Sequence, residues 1–80
     1  MLDKYLVRSI IDMFIFLEFT DDSHVDADLA VSQMEALAAQ LQRVLEPAKS
    51  DLIAQIRDLA PDYGEHSDFV QALPQAMGLE

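Results

Sequence analysis

The chain has 80 residues and no cysteine, and fifteen acidic against five basic side chains give it a net charge of -10 at pH 7. A chain of this length forms one domain, here residues 1–80, and without cysteine it has no disulfide framework. The negative charge disfavours direct binding to nucleic acid or to an anionic membrane, because both need a basic face, and it favours a basic protein partner.

The first predicted helix spans residues 2–19 and is apolar nearly all round. One continuous seam is predicted to face the core: Leu2, Leu6, Ile10, Met13 and Leu17, with Val7 and Phe14 on its flank. A second apolar group shares its arc with charged residues: Tyr5, Ile11, Ile15, Phe16 and Phe19. A helix of this kind is central in its domain or shared with a partner. We therefore expect the second group to be covered by the C-terminal segment or to form an interface, including a possible homodimer.

Two carboxylates, Asp12 and Glu18, interrupt the apolar run of this helix. About 20 uninterrupted apolar residues are needed to cross a bilayer, so the helix is not predicted to span a membrane. Asp12 would also lie inside the apolar region of a signal peptide, and no small-residue cleavage site follows it. We therefore expect the mature chain to begin at Met1 and to be cytoplasmic.

An acidic link, residues 20–28, follows the first helix. Its carboxylates are predicted to form an anionic recognition patch: Asp21, Asp22, Asp26 and Asp28. Asp26 is also predicted to cap a second helix over residues 27–45, and Asp28 lies in the first turn, where the helix dipole favours a negative charge.

A third helix is expected over residues 47–60, because proline is well tolerated at the first helical position. A short fourth helix is expected over residues 65–73 and is predicted to end at Pro74, after which Met77 and Leu79 supply an apolar hook. No segment alternates with a period of two, so strands are not expected. The predicted fold is all-α, a small antiparallel bundle of three main helices plus a short C-terminal fourth helix. In it, the second and third helices form a hairpin and the first packs into their groove.

No arrangement of residues predicts catalysis. An EF-hand needs glycine at its sixth position and glutamate at its twelfth, but counting from Asp22 gives Ala27 and Gln33. An acyl carrier protein needs Asp-Ser-Leu at a helix start, whereas residues 22–24 read Asp-Ser-His. Neither histidine has a nucleophile or a partner at a suggestive spacing. We therefore expect no enzymatic activity, no catalytic residue, no metal and no cofactor.

Several segments carry a resemblance to a known group of bacterial proteins. They are the apolar helix IIDMFIFLEF, the acidic link DDSHVDAD, the helix AVSQMEALAAQLQRVL and the tail FVQALPQAMGL. The chain resembles the small acidic immunity proteins encoded beside polymorphic or type VI secretion toxins. The resemblance implies that the chain binds a cognate toxin inside the producing cell and neutralises it by occupying its active site, without chemistry of its own.

The residues predicted to bind the partner combine apolar anchors with carboxylates: Ile15, Phe16, Glu18, Phe19, Asp21, Asp22, Asp26, Asp28 and Tyr63. The carboxylates are expected to speed association, and the aromatic side chains are expected to anchor the complex. A toxin with a basic active-site cleft, such as one acting on nucleotides or nucleic acid, suits an acidic inhibitor because carboxylates can occupy phosphate sites. The alternative is a small acidic structural or regulatory adaptor that acts through helix-mediated interaction or homodimerisation.

Overall fold

The computed structural model describes residues 2–80, and the expected chain start at Met1 lies outside them. The described residues are helical and include no strand, which confirms the all-α prediction. The elements are α1 (Lys4–Phe19), α2 (Ala27–Leu41), α3 (Ala48–Leu59), a 3₁₀ segment (Ala60–His66) and α4 (Ser67–Ala76).

The start of α1 is fixed from two sides. Asp3 is its N-cap, and its carboxylate accepts a hydrogen bond from the Tyr5 backbone N–H at 2.7 Å. This bond satisfies a backbone donor that has no partner within the helix. Leu2 is held to α3, because its N–H donates to Asp51 at 2.5 Å and its carbonyl accepts from the Gln55 amide at 2.7 Å. The entry of the chain into α1 is therefore tied to α3.

The buried face of α1 differs from the predicted seam. Val7 and Ile11 are fully buried and Phe14 is 3% exposed, whereas Leu6 and Met13 of the seam are 53% and 48% exposed. The seam prediction is therefore wrong for Leu6 and Met13, whereas Leu2 and Ile10 of the seam pack against the core. The expectation that Ile11 lies on the outer arc is also wrong. Because α1 is apolar nearly all round, its neighbours fix its rotation. α1 packs against both α2 and α3, so the residues facing those two helices are the ones buried.

The second helix ends at Leu41, short of the predicted residue 45. Beyond it the backbone tightens, and the Val44 N–H donates to the Leu41 carbonyl at 3.1 Å. Such bonds to the residue three positions back are typical of a helix end. A proline at position 47 also disfavours the helical conformation in the residue before it. Leu45, which the pattern places on the core face of α2, is instead 80% exposed.

The last helix continues through Pro74 to Ala76, so the prediction that Pro74 ends it is wrong. Proline removes one backbone donor from a helix. Here the turn that follows Pro74 is stabilised because its apolar side chains are buried. Met77 is 2% exposed and Leu79 is 6% exposed, and the Leu79 N–H donates to the Pro74 carbonyl at 2.9 Å. The predicted apolar hook is therefore confirmed.

The segment between α3 and α4 is a 3₁₀ helix where the sequence predicts a turn and an early start of the fourth helix. Gly64 has a φ of +54°, a conformation that favours glycine because a side chain would be strained there. This residue interrupts the helical path, and α4 begins only at Ser67.

A single core includes side chains from every helix: Val7, Ile11, Phe14, Leu41, Leu52, Ile56, Leu59, Ala60, Val70, Leu73, Met77 and Leu79. α3 packs against α4 and the 3₁₀ segment. Within residues 2–80, α2 and α3 are not closely packed against each other, so the predicted hairpin between them is not confirmed. Within residues 2–80, no helix has the length and hydropathy that a membrane span requires.

Candidate partner-binding surface

The outer face of α1 is apolar and exposed. We define it by four side chains that are between 48% and 70% exposed: Tyr5, Leu6, Met13 and Phe16. It continues into a shallow groove of about 390 Å³ between α1 and α2, which Met13 and Leu17 border on the α1 side. Large apolar patches on small proteins mark interaction surfaces. Of the predicted anchors, Phe16 therefore lies on a surface that is free to meet a partner.

A second apolar surface is a groove of about 260 Å³ between α1, α2 and α4. Its lining includes Phe14 of α1, Met34 of α2 and Phe69 of α4, and the exposed carboxylates Glu18 and Glu35 stand at its edge. An adjoining pocket of about 120 Å³ shares Glu18 and Met34 with it and extends to Asp22 in the acidic link. We call the two together the acidic groove.

The carboxylates of the acidic groove have no cationic partner among the described residues. Within residues 2–80, neither Glu18 nor Glu35 forms an ion pair, whereas Arg8 binds Asp62 at 2.8 Å and Arg57 binds the side chain of Glu80. Arg8 and Arg57 are thus engaged with carboxylates outside the groove. The groove therefore combines an apolar lining with an uncompensated negative edge, and this arrangement attracts a cation that sits beside an apolar group.

The acidic link divides into two pairs of carboxylates. Asp21 accepts hydrogen bonds from the Ser23 N–H at 2.9 Å and from the Ser23 hydroxyl. The Ser23 hydroxyl, followed by His24, holds the pKa of Asp21 below its ordinary value. Asp26 caps α2 by accepting from the Leu29 N–H at 3.0 Å. These two carboxylates fix the course of the link.

The other pair in the link, Asp22 and Asp28, is exposed. Neither carboxylate accepts a side-chain hydrogen bond from another described residue, and Asp22 borders the acidic groove. Of the four predicted recognition carboxylates, these two are therefore the ones that are exposed without a structural role in the link.

The predicted cap gives a direct stability test. Replacing Asp26 with Ala is expected to lower the free energy of unfolding by about 0.5–2 kcal/mol, because the Leu29 N–H loses its acceptor. Asp26→Asn keeps an acceptor oxygen and is expected to cost less than about 0.5 kcal/mol. Urea denaturation followed by far-ultraviolet circular dichroism measures both. Equal losses in the two variants would show that the side chain contributes through its charge and not as a cap.

Two predicted anchors are engaged within the chain. The half-buried Tyr63 donates its hydroxyl hydrogen to Asp12 at 3.0 Å. The Phe19 ring lies 4.3 Å from the ring of His66 and 5.1 Å, edge to face, from that of Phe69, measured between centroids. These contacts join α1 to the 3₁₀ segment and α4. Phe19 is still 50% exposed, so one part of its ring packs internally and the other remains open to a partner.

Ile15 is half-buried and packs against the core, so most of its apolar surface serves the fold. This leaves Phe16 and the exposed part of Phe19 as the apolar side chains of the predicted set that are open to a partner. Phe16 lies on the outer face of α1. Phe19 is linked to the acidic groove through Phe69, which lines it.

Tyr63 should give the chain a distinct response to alkali. Burial, followed by the hydrogen bond to Asp12, raises its pKa from 10.0 to about 12. A raised pKa means that the folded state holds the proton more tightly than the unfolded state. The stabilisation is therefore complete below pH about 10 and is lost as the pH rises towards about 12.

We expect Tyr63→Phe to flatten the fall in stability across this pH range. Tyr5, whose side chain is 70% exposed, is the position of the matched control. Thermal unfolding of the three proteins over a pH series measures the effect, and Tyr5→Phe controls for the loss of one phenol. An identical fall in all three proteins would contradict the role given to Tyr63.

Glu35 borders the acidic groove but is not among the residues that the sequence pattern predicts for the site. Asp28, Val31 and Glu35 follow one another at spacings of three and four, so they share one flank of α2. That flank borders the acidic groove through Val31 and Glu35. The spacing is visible in the sequence, but the groove itself depends on where α4 lies, which the sequence pattern leaves open.

Within the described residues, no group of three or more His, Asp or Glu side chains is placed to hold a metal ion. The acidic groove and the outer face of α1 are thus the surfaces on which an interpretation of function rests. Comparison with protein-family models, curated protein sequences and solved structures finds no match for the chain.

Proposed function

We propose that the chain is an immunity protein that binds a cognate bacterial toxin inside the producing cell and neutralises it by occluding its active site. The observation that carries the proposal is the acidic groove, in which unpaired carboxylates border an apolar lining. Such a surface suits recognition of a partner, since charge complementarity guides encounter and apolar contacts hold the complex. The chain acts as an inhibitor without enzymatic activity.

The toxin is proposed to carry a basic cleft, such as one that binds nucleotides or nucleic acid. With a net charge of -10, the chain attracts a positively charged partner over a long range and accelerates encounter. Carboxylates can also take the places that substrate phosphates occupy, because both are bound by the same arginine and lysine donors. An acidic inhibitor therefore competes with an anionic substrate for one site.

We further propose that the helices form a small antiparallel bundle centred on α1. This arrangement is supported by the packing of α1 against both α2 and α3 and by the core to which every helix contributes. A bundle of this kind leaves helix faces, rather than loops, as the main contact surfaces.

The outer face of α1 also favours a second function, that of an adaptor that self-associates. Two copies would bury four large apolar side chains each, but each copy carries a net charge of -10. Repulsion between like charges opposes this association and weakens as salt is added. Sedimentation at low and high salt separates the two functions: an inhibitor is monomeric in both, and an adaptor forms a dimer that salt strengthens.

The toxin proposal is tested in living cells. The gene immediately before the one that encodes this chain is expressed alone and then together with the chain. We expect its product to arrest growth and the chain to restore growth, while an unrelated small acidic protein at the same level does not. A harmless neighbouring product, or a toxic one that the chain does not counteract, would contradict the proposal.

A further inference from the structure

The main part of the acidic groove is small and mostly apolar. Its volume of about 260 Å³ lies below the range of about 300–1,000 Å³ for drug-sized molecules and cofactors, and the adjoining pocket adds about 120 Å³ on the side of the acidic link. Apart from Glu18 and Glu35 at its edge, the lining is apolar, so a polar metabolite would lose hydrogen bonds to water there without replacement. Both facts favour a single large side chain from a protein partner as the occupant.

The carboxylates at the edge of the groove indicate that a positively charged group lies next to that side chain in the partner. Glu18 comes from α1 and Glu35 from α2, so the carboxylates border the groove from two different helices. Asp22 extends the negative edge through the adjoining pocket. A cation attached next to the apolar side chain could reach these carboxylates while the apolar part stays in the groove.

The other surface grooves lack this combination. The groove beside Met13 and Leu17 has no carboxylate in its lining. A further groove near Leu2 and Pro47 includes Asp51, but that carboxylate already accepts hydrogen bonds from Leu2 and Gln55. Of these three grooves within residues 2–80, the acidic groove alone joins an apolar lining to unpaired carboxylates.

We infer that the acidic groove binds one large apolar side chain of the partner that is flanked by lysine or arginine. The identity of that partner as a toxin rests on the proposed function, whereas the chemistry of the groove does not. Basic segments with an aromatic or aliphatic residue are the matching recognition element. Burial of the apolar part holds the segment, and the flanking cation selects it over neutral and acidic segments.

A second copy of the chain is the competing occupant. Leu45 is 80% exposed and lies between Arg43 and Lys49 in the sequence, so it offers the same chemistry. That contact would join unlike surfaces of two copies and would grow into open chains. The net charge of -10 on each copy opposes it. Assemblies that grow with protein concentration and disappear in Leu45→Ser would overturn the inference of a separate partner.

The test uses small probes that match the inferred element. 2-Phenylethylammonium, which carries a ring and a cation, is titrated into the full-length isotope-labelled protein and followed by amide resonances. Phenylacetate and 2-phenylethanol are the anionic and neutral controls. We expect saturable shifts at Met34, Glu35 and Phe69 with the cation, and binding about three- to tenfold weaker with the controls, as two exposed ion pairs imply.

Glu18→Gln/Glu35→Gln should reduce binding of the cation to the level of the neutral probe. The matched control, Asp58→Asn/Glu65→Gln, makes the same change in net charge at exposed carboxylates outside the groove and should leave binding unchanged. Equal binding of cation and anion, or no saturable shift at the groove, would overturn the inference. If the inference were overturned but the chain still neutralised the proposed toxin, the proposed function would stand without the groove chemistry. If the probe bound but the chain neutralised no toxin, the groove chemistry would stand and the proposed function would be wrong.

Discussion

Ile11→Ala is expected to lower the free energy of unfolding by about 2–5 kcal/mol, the range for truncation of a fully buried isoleucine. For a chain of 80 residues the total is about 4–12 kcal/mol, so the variant should lose a large part of its stability. Met13→Ala, on the outer face of α1, is expected to cost less than about 1 kcal/mol, because Met13 is 48% exposed. Alanine is the best helix former, so neither loss reflects a weaker helix.

Urea denaturation of both variants measures this contrast, and an unchanged dependence on urea shows that the two unfolding transitions are comparable. The sequence pattern alone predicts the reverse order, since it places Met13 in the core-facing seam and Ile11 outside it. A larger loss for Met13→Ala than for Ile11→Ala would contradict the rotation of α1. It would also remove the outer face of α1 from consideration as an interaction surface.

Reversing the charge at the edge of the acidic groove should have the largest effect on binding to the proposed toxin. In Glu18→Lys/Glu35→Lys, two lysines would face the proposed basic cleft, and we expect association at low salt to slow by about tenfold or more. Dissociation should also become faster, because the cation that flanks the bound apolar side chain would meet like charges. Both substitutions are at exposed helical positions and are expected to leave the fold intact.

The control for this experiment is Asp58→Lys/Glu65→Lys, which changes the net charge by the same amount outside the groove. Stopped-flow binding to a catalytically inactive variant of the proposed toxin is measured over a series of salt concentrations. This measurement separates the effect of charge at the groove from the effect of the net charge of the chain. We expect the control to slow association less and to leave dissociation unchanged. If the two double variants behaved alike, the total charge of the chain and not the acidic groove would govern recognition.

The sequence could predict those features of the fold that depend on local chemistry. Asp26 is predictable as a helix cap because an N-cap carboxylate accepts from a backbone N–H two or three residues along, and it does so here. Met77 and Leu79 are predictable as a hook because they are apolar residues beyond a proline, and both are buried. The third helix, bounded by prolines, was placed within one residue at each end. In each case, the residue types within a short stretch of chain are enough to predict the local structure.

The rotation of α1 could not be predicted, because its apolar pattern is compatible with several buried faces. Val7, Ile11 and Phe14 are buried because α2 and α3 lie on that side, and this depends on contacts far apart in sequence. The continuation of α4 through Pro74 likewise depends on burial of the turn beyond it. Local rules favour ending a helix at proline, and the tertiary contacts outweigh them here.

The candidate site was predicted in composition but not in arrangement. The sequence pointed to the carboxylates of the acidic link, yet the structure gives Asp21 and Asp26 local roles in a turn and a cap. Asp22 is the link carboxylate that borders the acidic groove, together with Glu18 and Glu35. Which carboxylates gather at one groove depends on the approach of three helices, and a single sequence does not encode that in any local pattern.

The proposed inhibition by occupation is tested most directly by titrating the proposed toxin with the purified chain. The product of the neighbouring gene is assayed on its own substrate while the chain is added in increasing amounts. Inhibition by occupation predicts that activity falls in proportion to the chain added and vanishes at equal molar amounts, and that the chain is recovered unaltered in mass. Full activity in the presence of a large excess of the chain, or complete loss with a small fraction of an equivalent, would contradict it.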